Sequence, residues 1–192
     1  MLNLKGDFEL NRDNLLGIIN RLEYDVEATV NILNYTGQKQ NSNPIANLDT
    51  LLIIATSTPR FFSQNGFLNE LISSGKLSII QNAELRNHLS SWQSSIDFIA
   101  DRISINETQN MKITEFVSKH GNWLRADSRH TTGRLNLPPS GFETTNLPLL
   151  QENEFESLLD IQIVFKDGLL QTYNSTFDAC EGILNKIEQE LN

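Results

Sequence analysis

An uninterrupted apolar stripe near the C-terminus is the feature that most constrains the fold of this chain. From Leu158 to Leu191, an apolar residue recurs at every third or fourth position. This spacing is that of one face of an α-helix. It predicts a helix from about Asn153 to Glu190, with Glu154 near the end where the helix dipole favours negative charge. A helix with one apolar face has to be covered by other elements, which indicates a helical bundle.

The N-terminal half predicts one long helix and a short helical pair. Apolar residues from Leu15 to Leu33 follow the same helical period. The polar stretch that begins at Gly37 predicts a loop. The predicted elements are a long helix over about residues 4–36, a short helix over Leu48–Thr56 capped by Asn47, and a second short helix capped by Ser63 and ended by Gly75.

The next long helix carries two asparagines on its apolar face. It is predicted to start after Asn82 and to end near His120, with an apolar seam that starts at Leu85. Continued in register, this seam meets Asn106 and Asn110 before apolar residues return. A break or a local re-phasing of the helix at this point is the interpretation we prefer. The alternative places both asparagines in a polar core or a pocket of the bundle, where a buried Asn fixes the register of helices.

The region of about residues 121–150 has no helical period and contains three prolines. It predicts a long irregular loop of about 30 residues. No segment shows the sustained alternation of a strand, so the sequence predicts an all-α fold. We expect an elongated antiparallel helical bundle of three long helices plus a short helical pair. A length of 192 residues suits one domain, which is predicted to cover residues 1–192.

Composition and charge exclude several classes of protein. The formal net charge of -9 argues against a nucleic-acid partner, because contacts to phosphates need a basic surface. The single cysteine, Cys180, cannot form an intramolecular disulfide, and its place on the apolar face of the last helix predicts a core position. The start lacks the apolar segment of a signal peptide, and no apolar run approaches the roughly 20 residues that span a bilayer. The chain as given is therefore expected to be soluble.

No pattern of residues points to catalysis or to a metal. A di-iron site in a bundle needs Glu-x-x-His pairs. Glu84 and His88 are instead four positions apart, and Glu115 and His120 are five apart. The common metalloprotease, serine hydrolase and phosphate-binding motifs do not occur. The sequence therefore predicts a protein that is not an enzyme, with no catalytic residue, no metal and no cofactor.

Two stretches of the chain, one central and one C-terminal, have recognisable patterns. Phe67–Trp92 contains S-S-G-K-L at the end of a short helix, then an apolar pair, then N-x-E-L-R at the start of a long helix. This resembles the central signature of a bacterial family of uncharacterised proteins, a domain of unknown function, and the segment from Glu154 is similar to the closing helix of that family. Its members carry one N-terminal transmembrane helix followed by a helical domain. The resemblance implies a native protein anchored by a helix that this sequence lacks, or otherwise a cytoplasmic one.

The region around the predicted loop carries positive charge in an acidic chain. The basic residues are Lys119, Arg125, Arg129 and Arg134, and the same stretch holds one acid, Asp127. In one interpretation the loop packs on the acidic helices through weak surface ion pairs. In the other it contacts a membrane surface, where each Lys or Arg near anionic lipid contributes about 1 kcal/mol. The membrane interpretation requires the short helical pair to turn the chain, so that the following helix returns towards the start of the first.

Three functions are compatible with these observations. The first is a non-catalytic helical interaction or sensing domain, the part of a membrane-anchored bacterial protein that lies outside the membrane. The second is a sensor bundle that binds a small molecule in a pocket among the long helices, near Asn106 and Asn110. The third is a cytosolic oligomeric scaffold, because a heptad-like seam also serves self-association. The expected partners are a second copy of the chain, another protein or a membrane surface.

Overall fold

The computed structural model describes residues 1–37, 44–130 and 137–191, except for the side chains of residues 128–130. Over these residues the chain forms α-helices and two short 3₁₀ helices, Lys76–Ile79 and Leu147–Gln151, and no strand. The helices are α1 (Leu2–Leu33), α2 (Leu48–Ala55), α3 (Gly66–Ser73), α4 (Ala83–His120), α5 (Trp123–His130) and α6 (Asn153–Leu191). The predicted all-α fold, in which three long helices pack against one another, is confirmed.

The chain divides into two compact units. Unit 1 comprises Met1–Arg21, Pro59–Ile103 and Leu169–Asn192, and unit 2 comprises Leu22–Thr58 and Ser104–Gly168. Each long helix therefore contributes residues to both units. That residues 1–192 form a single domain stays a prediction.

The ion pairs of unit 1 show the directions of the long helices. Lys5 on α1 pairs with Glu188 on α6, and farther along α1 Arg12 lies near Glu181, so these two helices run antiparallel. α1 and α4 both begin in unit 1 and end in unit 2, whereas α6 begins in unit 2 and ends in unit 1. The predicted return of the chain at the short helical pair is therefore wrong. The chain passes from unit 2 back to unit 1 between Thr58 and Pro59, after α2 and before α4 starts.

A tryptophan anchors the core of unit 1. Trp92 is 1% exposed, and its ring meets Phe8 edge-on with centroids 4.9 Å apart. Its indole N–H donates to Oδ1 of Asn65 at 2.8 Å, which ties α4 to the segment before α3. The side chain of Asn11 secures the same segment, since it accepts from the amide of Gln64 at 2.6 Å and donates to the Gln64 carbonyl at 2.9 Å.

Unit 2 has a core built on α2. Apolar side chains of α1, α2, α4, the second 3₁₀ helix and α6 bury one another there. The members of this cluster are Ile32, Ile45, Leu48, Leu52, Ala55, Ile113, Phe116, Val117, Leu149, Leu150, Phe155 and Leu159. Burial of apolar surface on this scale contributes about 25 cal/mol per Å² to stability. The core therefore fixes α4 and α6 around α2.

The region predicted as an irregular loop of residues 121–150 contains a helix. α5 covers Trp123–His130, and Asn122 caps it, because its Oδ1 accepts from the amide of Arg125 at 3.0 Å. The prediction was wrong here because this helix is too short for its apolar period to be visible. A capping Asn at residue 122 was the available signal.

Candidate functional site

Unit 2 buries polar side chains from all three long helices where apolar ones were expected. On α6 the sequence places Leu158, Ile161 and Phe165 on the apolar face. Gln162 and Lys166, each one position farther along the helix, are nevertheless fully buried at 0% exposure. Ile161 is 40% exposed. The buried polar residues of this region, which we call the polar core, are Asp25, Thr29, Asn106, Gln109, Asn110, Gln162 and Lys166. This stretch of the bundle therefore exposes part of its predicted apolar face.

A chain of amide hydrogen bonds links α4, α6 and the end of α2 in the polar core. Gln162 donates from Nε2 to Oδ1 of Asn110 at 2.7 Å, and Asn110 donates from Nδ2 to the hydroxyl of Thr58 at 2.7 Å. Asn106 donates to the carbonyl of Phe165 at 3.1 Å. The predicted break at these asparagines is wrong, because α4 continues to His120 and the amide nitrogens of both asparagines donate to partners outside α4. Both residues belong to the polar core.

Two buried charged residues meet the C-terminal end of α2. The hydroxyl of Ser57 donates to Oδ2 of Asp25 at 2.5 Å and also contacts the carbonyl of Ile54 at 2.9 Å. Lys166 reaches the same Ile54 carbonyl from Nζ at 3.4 Å. A carboxylate and an ammonium group thus share the last turn of α2. Buried charges remain only when they are paired or hydrogen-bonded, so this arrangement fixes α1 and α6 on that turn.

The amide oxygens of both glutamines in the polar core accept no hydrogen bond from the residues that the structure describes. They are Oε1 of Gln109 and Oε1 of Gln162. The amide nitrogen of Gln109 is used, since it donates to the carbonyl of Leu158 at 2.9 Å. A buried acceptor without a donor costs about 1–3 kcal/mol, so the polar core is not optimised for stability alone.

Arg125, one of the predicted surface or membrane-contact residues, lies in a hydrogen-bonded cluster. It donates from Nε to Oδ2 of Asp49 at 3.0 Å, and Asn146 donates from Nδ2 to Oδ1 of the same carboxylate at 2.8 Å. Asn146 also accepts from the amide of Asn122 at 2.7 Å. A cavity of about 160 Å³ lies beside this cluster. Arg125 therefore serves to attach α5 to the buried Asp49 of α2.

The structure does not describe the side chains of two of the other predicted basic residues. Arg134 lies outside the described residues, and for Arg129 the structure describes the helix but not the side chain. Contact of these residues with a membrane surface stays a prediction. The described residues of this stretch belong to unit 2, and the first residue of α1 belongs to unit 1.

Lys119 lines a groove between α4 and α6 in unit 2. The groove has a volume of about 370 Å³, and we call it the α4–α6 groove. Its lining residues are Lys112, Glu115, Phe116, Lys119 and His120 of α4, and Glu154 and Leu158 of α6. The ring of His120 stacks on Phe116 with centroids 4.5 Å apart. The groove thus combines two lysines, two glutamates and an apolar floor.

The α4–α6 groove was not predicted, because the sequence assigns its apolar residues to the core. Ile161 lies one turn after Leu158, and Ile105 lies two turns before Lys112, so helical spacing puts both on the helix faces that line the groove, beyond its cavity. Each of these isoleucines is 40% exposed. Asn106 and Asn110 on the predicted seam of α4 were the available signal that this part of the bundle has a polar core. Exposed apolar side chains therefore continue the groove-lining faces of both helices.

The thiol of Cys180 and the hydroxyl of Tyr173 in unit 1 are buried. Cys180 is at 0% exposure, as predicted, and burial raises the pKa of its thiol to about 12. Burial likewise raises the pKa of Tyr173 to about 12, and its hydroxyl donates to the carbonyl of Pro59 at 2.8 Å. A protonated, buried thiol is a poor nucleophile. Among the described residues, no group of three His, Cys, Asp or Glu side chains is placed to hold a metal ion.

Comparisons with known proteins add no family to this description. Neither protein-family models nor curated proteins nor solved structures give a match to the chain. In the parts of the chain that the structure describes, no helix has both the length and the apolar character needed to cross a bilayer. The resemblance to a membrane-anchored bacterial family stays a prediction. The small-molecule sensor also stays a prediction, and neither of the two cavities described above is lined by Asn106 or Asn110.

Proposed function

We propose that this protein is a non-catalytic helical interaction domain that binds a helical surface of its partner on the α4–α6 groove. One observation carries the proposal. Ile161 belongs to an apolar helical stripe yet is 40% exposed, while the neighbouring Gln162 is fully buried. Apolar side chains along a groove between two helices are a recurring binding surface for an amphipathic helix.

The elements that form the groove suit binding rather than chemistry. α4 and α6 are long helices held by the apolar core of unit 2 and by the amide bonds of Asn106 and Gln109 to α6. A groove on such a rigid scaffold changes little when a partner binds, so less conformational entropy is lost. The charged rim sets orientation, and the apolar floor of Phe116 and Leu158 supplies affinity.

A counter-selected peptide display tests this proposal. Helical peptides are selected on the wild-type protein and depleted on an Ile161→Asp variant, which places a charge in the groove. We expect the retained peptides to be amphipathic helices that bind the wild type at least about tenfold more tightly than the variant, a difference of about 1.4 kcal/mol.

The matched control is Phe98→Asp, which adds the same charge at an exposed aromatic residue of unit 1. The selected peptides should bind this control as they bind the wild type. Peptides that bind the wild type and the Ile161 variant equally would overturn the proposal, as would a selection that retains none. A circular dichroism melting curve of each variant shows that it is folded.

A further inference from the structure

The charges around the α4–α6 groove are arranged for a partner with the same pattern. Lys112 and Lys119 contribute two positive charges, and Glu115 and Glu154 contribute two negative ones. The chain as a whole has a net charge of -9, so most of its surface repels a second copy. The balance of lysines and glutamates at the groove removes this repulsion locally.

We infer that the partner on the α4–α6 groove is a second copy of this chain, bound through the same groove about a two-fold axis. This inference rests on the proposed function and names its partner. In a two-fold contact residue i of one copy meets residue j of the other and j meets i, so a surface that carries both lysines and glutamates can pair opposite charges with a copy of itself. Lysines of one copy then lie opposite glutamates of the other.

Helix packing supports the same occupant. Two antiparallel helices, α4 and α6, form one layer, and a second layer of the same kind completes a four-helix arrangement. Such a contact covers Ile105, Leu158 and Ile161 in both copies. The proposed contact on α4 runs from the exposed Ile105 to the groove residue Lys119, about four turns or roughly 20 Å of helix. This length is at the low end for a stable interface, so the dimer exchanges with monomer as concentration changes.

Complementary charge variants test the inference by sedimentation velocity over a concentration series of the full chain. The acidic variant is Lys112→Glu with Lys119→Glu, and the basic variant is Glu115→Lys with Glu154→Lys. We expect the wild type to shift from monomer to dimer with rising concentration. Each variant alone should weaken dimerisation at least about tenfold, and an equimolar mixture of the two should restore a heterodimer.

The control for net charge is a triple variant in unit 1, Lys76→Glu with Asn69→Asp and Asn87→Asp. It changes the net charge by as much as the acidic variant does, at exposed residues outside the groove. It should dimerise like the wild type at the ionic strength of the cell, where charges farther apart than about 8 Å are screened.

Two results would overturn the inference. One is a wild type that stays monomeric at every concentration, and the other is a mixture of the charge variants that stays monomeric while the wild type dimerises. The peptide selection described above is independent of both. A monomeric protein that still binds groove-specific peptides would remove the second copy as the partner and leave the interaction function in place, whereas failure of both experiments removes both proposals.

Discussion

Arg125 of α5 donates from Nε to Oδ2 of Asp49 at 3.0 Å, and Asp49 is only 5% exposed. The other oxygen of this carboxylate accepts from Asn146 at 2.8 Å. Both oxygens are therefore satisfied inside unit 2, and Arg125, for which the sequence left packing on acidic helices and contact with a membrane both open, holds a helix to its neighbour. This pair gives the most direct way to test how α5 is attached.

Replacing Asp49 with Asn should destabilise the fold. The amide keeps the shape of the carboxylate but loses its charge and brings an N–H₂ group against a donor, Arg125 or Asn146. We expect the free energy of unfolding to fall by about 1–3 kcal/mol, with the lower value favoured because Arg125 is partly exposed to solvent. Urea unfolding measures this, and Asp97→Asn on an exposed turn of α4 serves as the control with a change within about 0.5 kcal/mol. Equal urea midpoints for the two variants would contradict the role of Asp49.

Replacing Gly121 with Ala should also destabilise unit 2. A Cβ at this position would lie 2.5 Å from Oδ1 of Asn146 and 3.2 Å from the carbonyl of Val117, which is backbone and cannot move freely. We expect a loss of about 1–3 kcal/mol, as for other overpacked sites. The matched change is Gly17→Ala in α1, where nothing lies within 4 Å of the new methyl. It should stabilise the helix by about 0.5–1 kcal/mol, so thermal unfolding should move in opposite directions for the two variants.

Asn110 and Gln162 should be energetically coupled. Removing either side chain by an Ala substitution leaves its partner buried without its 2.7 Å hydrogen bond, which should cost about 1–3 kcal/mol. The double variant should cost less than the sum of the two single changes, with a coupling energy of about 0.5–3 kcal/mol in a double-mutant cycle. If chemical denaturation shows that the free-energy losses of the two single variants simply add, the hydrogen bond between Asn110 and Gln162 does not contribute to stability.

Alkaline pH should destabilise unit 1 through Cys180. Burial raises the pKa of its thiol from 9.0 to about 12, so between these values the unfolded chain loses a proton that the folded protein keeps. Stability from this group is complete below pH 9 and is lost as the pH rises towards about 12. The slope approaches about 1.4 kcal/mol per pH unit for one such group. Tyr173 adds to it above pH 10, since burial raises its pKa from 10.0 to about 12.

In a Cys180→Ala variant, the free energy of unfolding should therefore fall less steeply than in the wild type between pH 9 and 10.5. The small cavity that the substitution creates should lower this free energy by the same amount at every pH. Urea unfolding at a series of pH values measures both quantities. In the wild type, the thiol should react with a disulfide reagent at neutral pH only under denaturing conditions. A slope that Cys180→Ala leaves unchanged would rule out the thiol as its source.

The sequence was most informative where helices are long and their ends carry turn residues. The last helix was predicted over Asn153–Glu190 and is observed over Asn153–Leu191. Gly75 adopts the left-handed conformation expected of a helix stop, with φ of 69°, and Oδ1 of Asn82 accepts from the amide of Leu85 as a cap should. These signals are local, so they can be read without knowing what packs against the helix.

Cap assignments failed where a tertiary contact decides. The residue before α2 is Asn47, as predicted, but it has a φ of 56° and makes no capping bond with its side chain. Ser63 does not cap α3, which starts later. Asn65 precedes α3 instead, and its Oδ1 accepts from the indole of Trp92. The Trp92 contact lies outside any local sequence window.

The faces of the helices in unit 2 could not be read from hydropathy. The apolar period of α1 includes Val30, which is 37% exposed, while Thr29 beside it is fully buried. On α6 the buried residue is also one position away from the predicted one, with Gln162 inside and Ile161 outside. Hydrogen bonds between polar side chains on several helices determine this shift. A single stripe on one helix does not contain that information, and for this reason the groove was missed.

The return of the chain between α1 and α4 has a consequence for how the protein is made. The cores of both units need α6, which follows the other described helices in the sequence: the thiol of Cys180 meets the Phe8 carbonyl across 172 residues in unit 1, and Gln162 meets Ala55 across 107 residues in unit 2. On the ribosome, α1 to α5 therefore emerge with apolar faces that α6 has yet to cover, and neither core is complete until α6 has emerged. Such long-range contacts slow folding well below the rate of a helical bundle with local contacts. Until α6 emerges, the nascent chain exposes apolar surface, which makes it prone to aggregation.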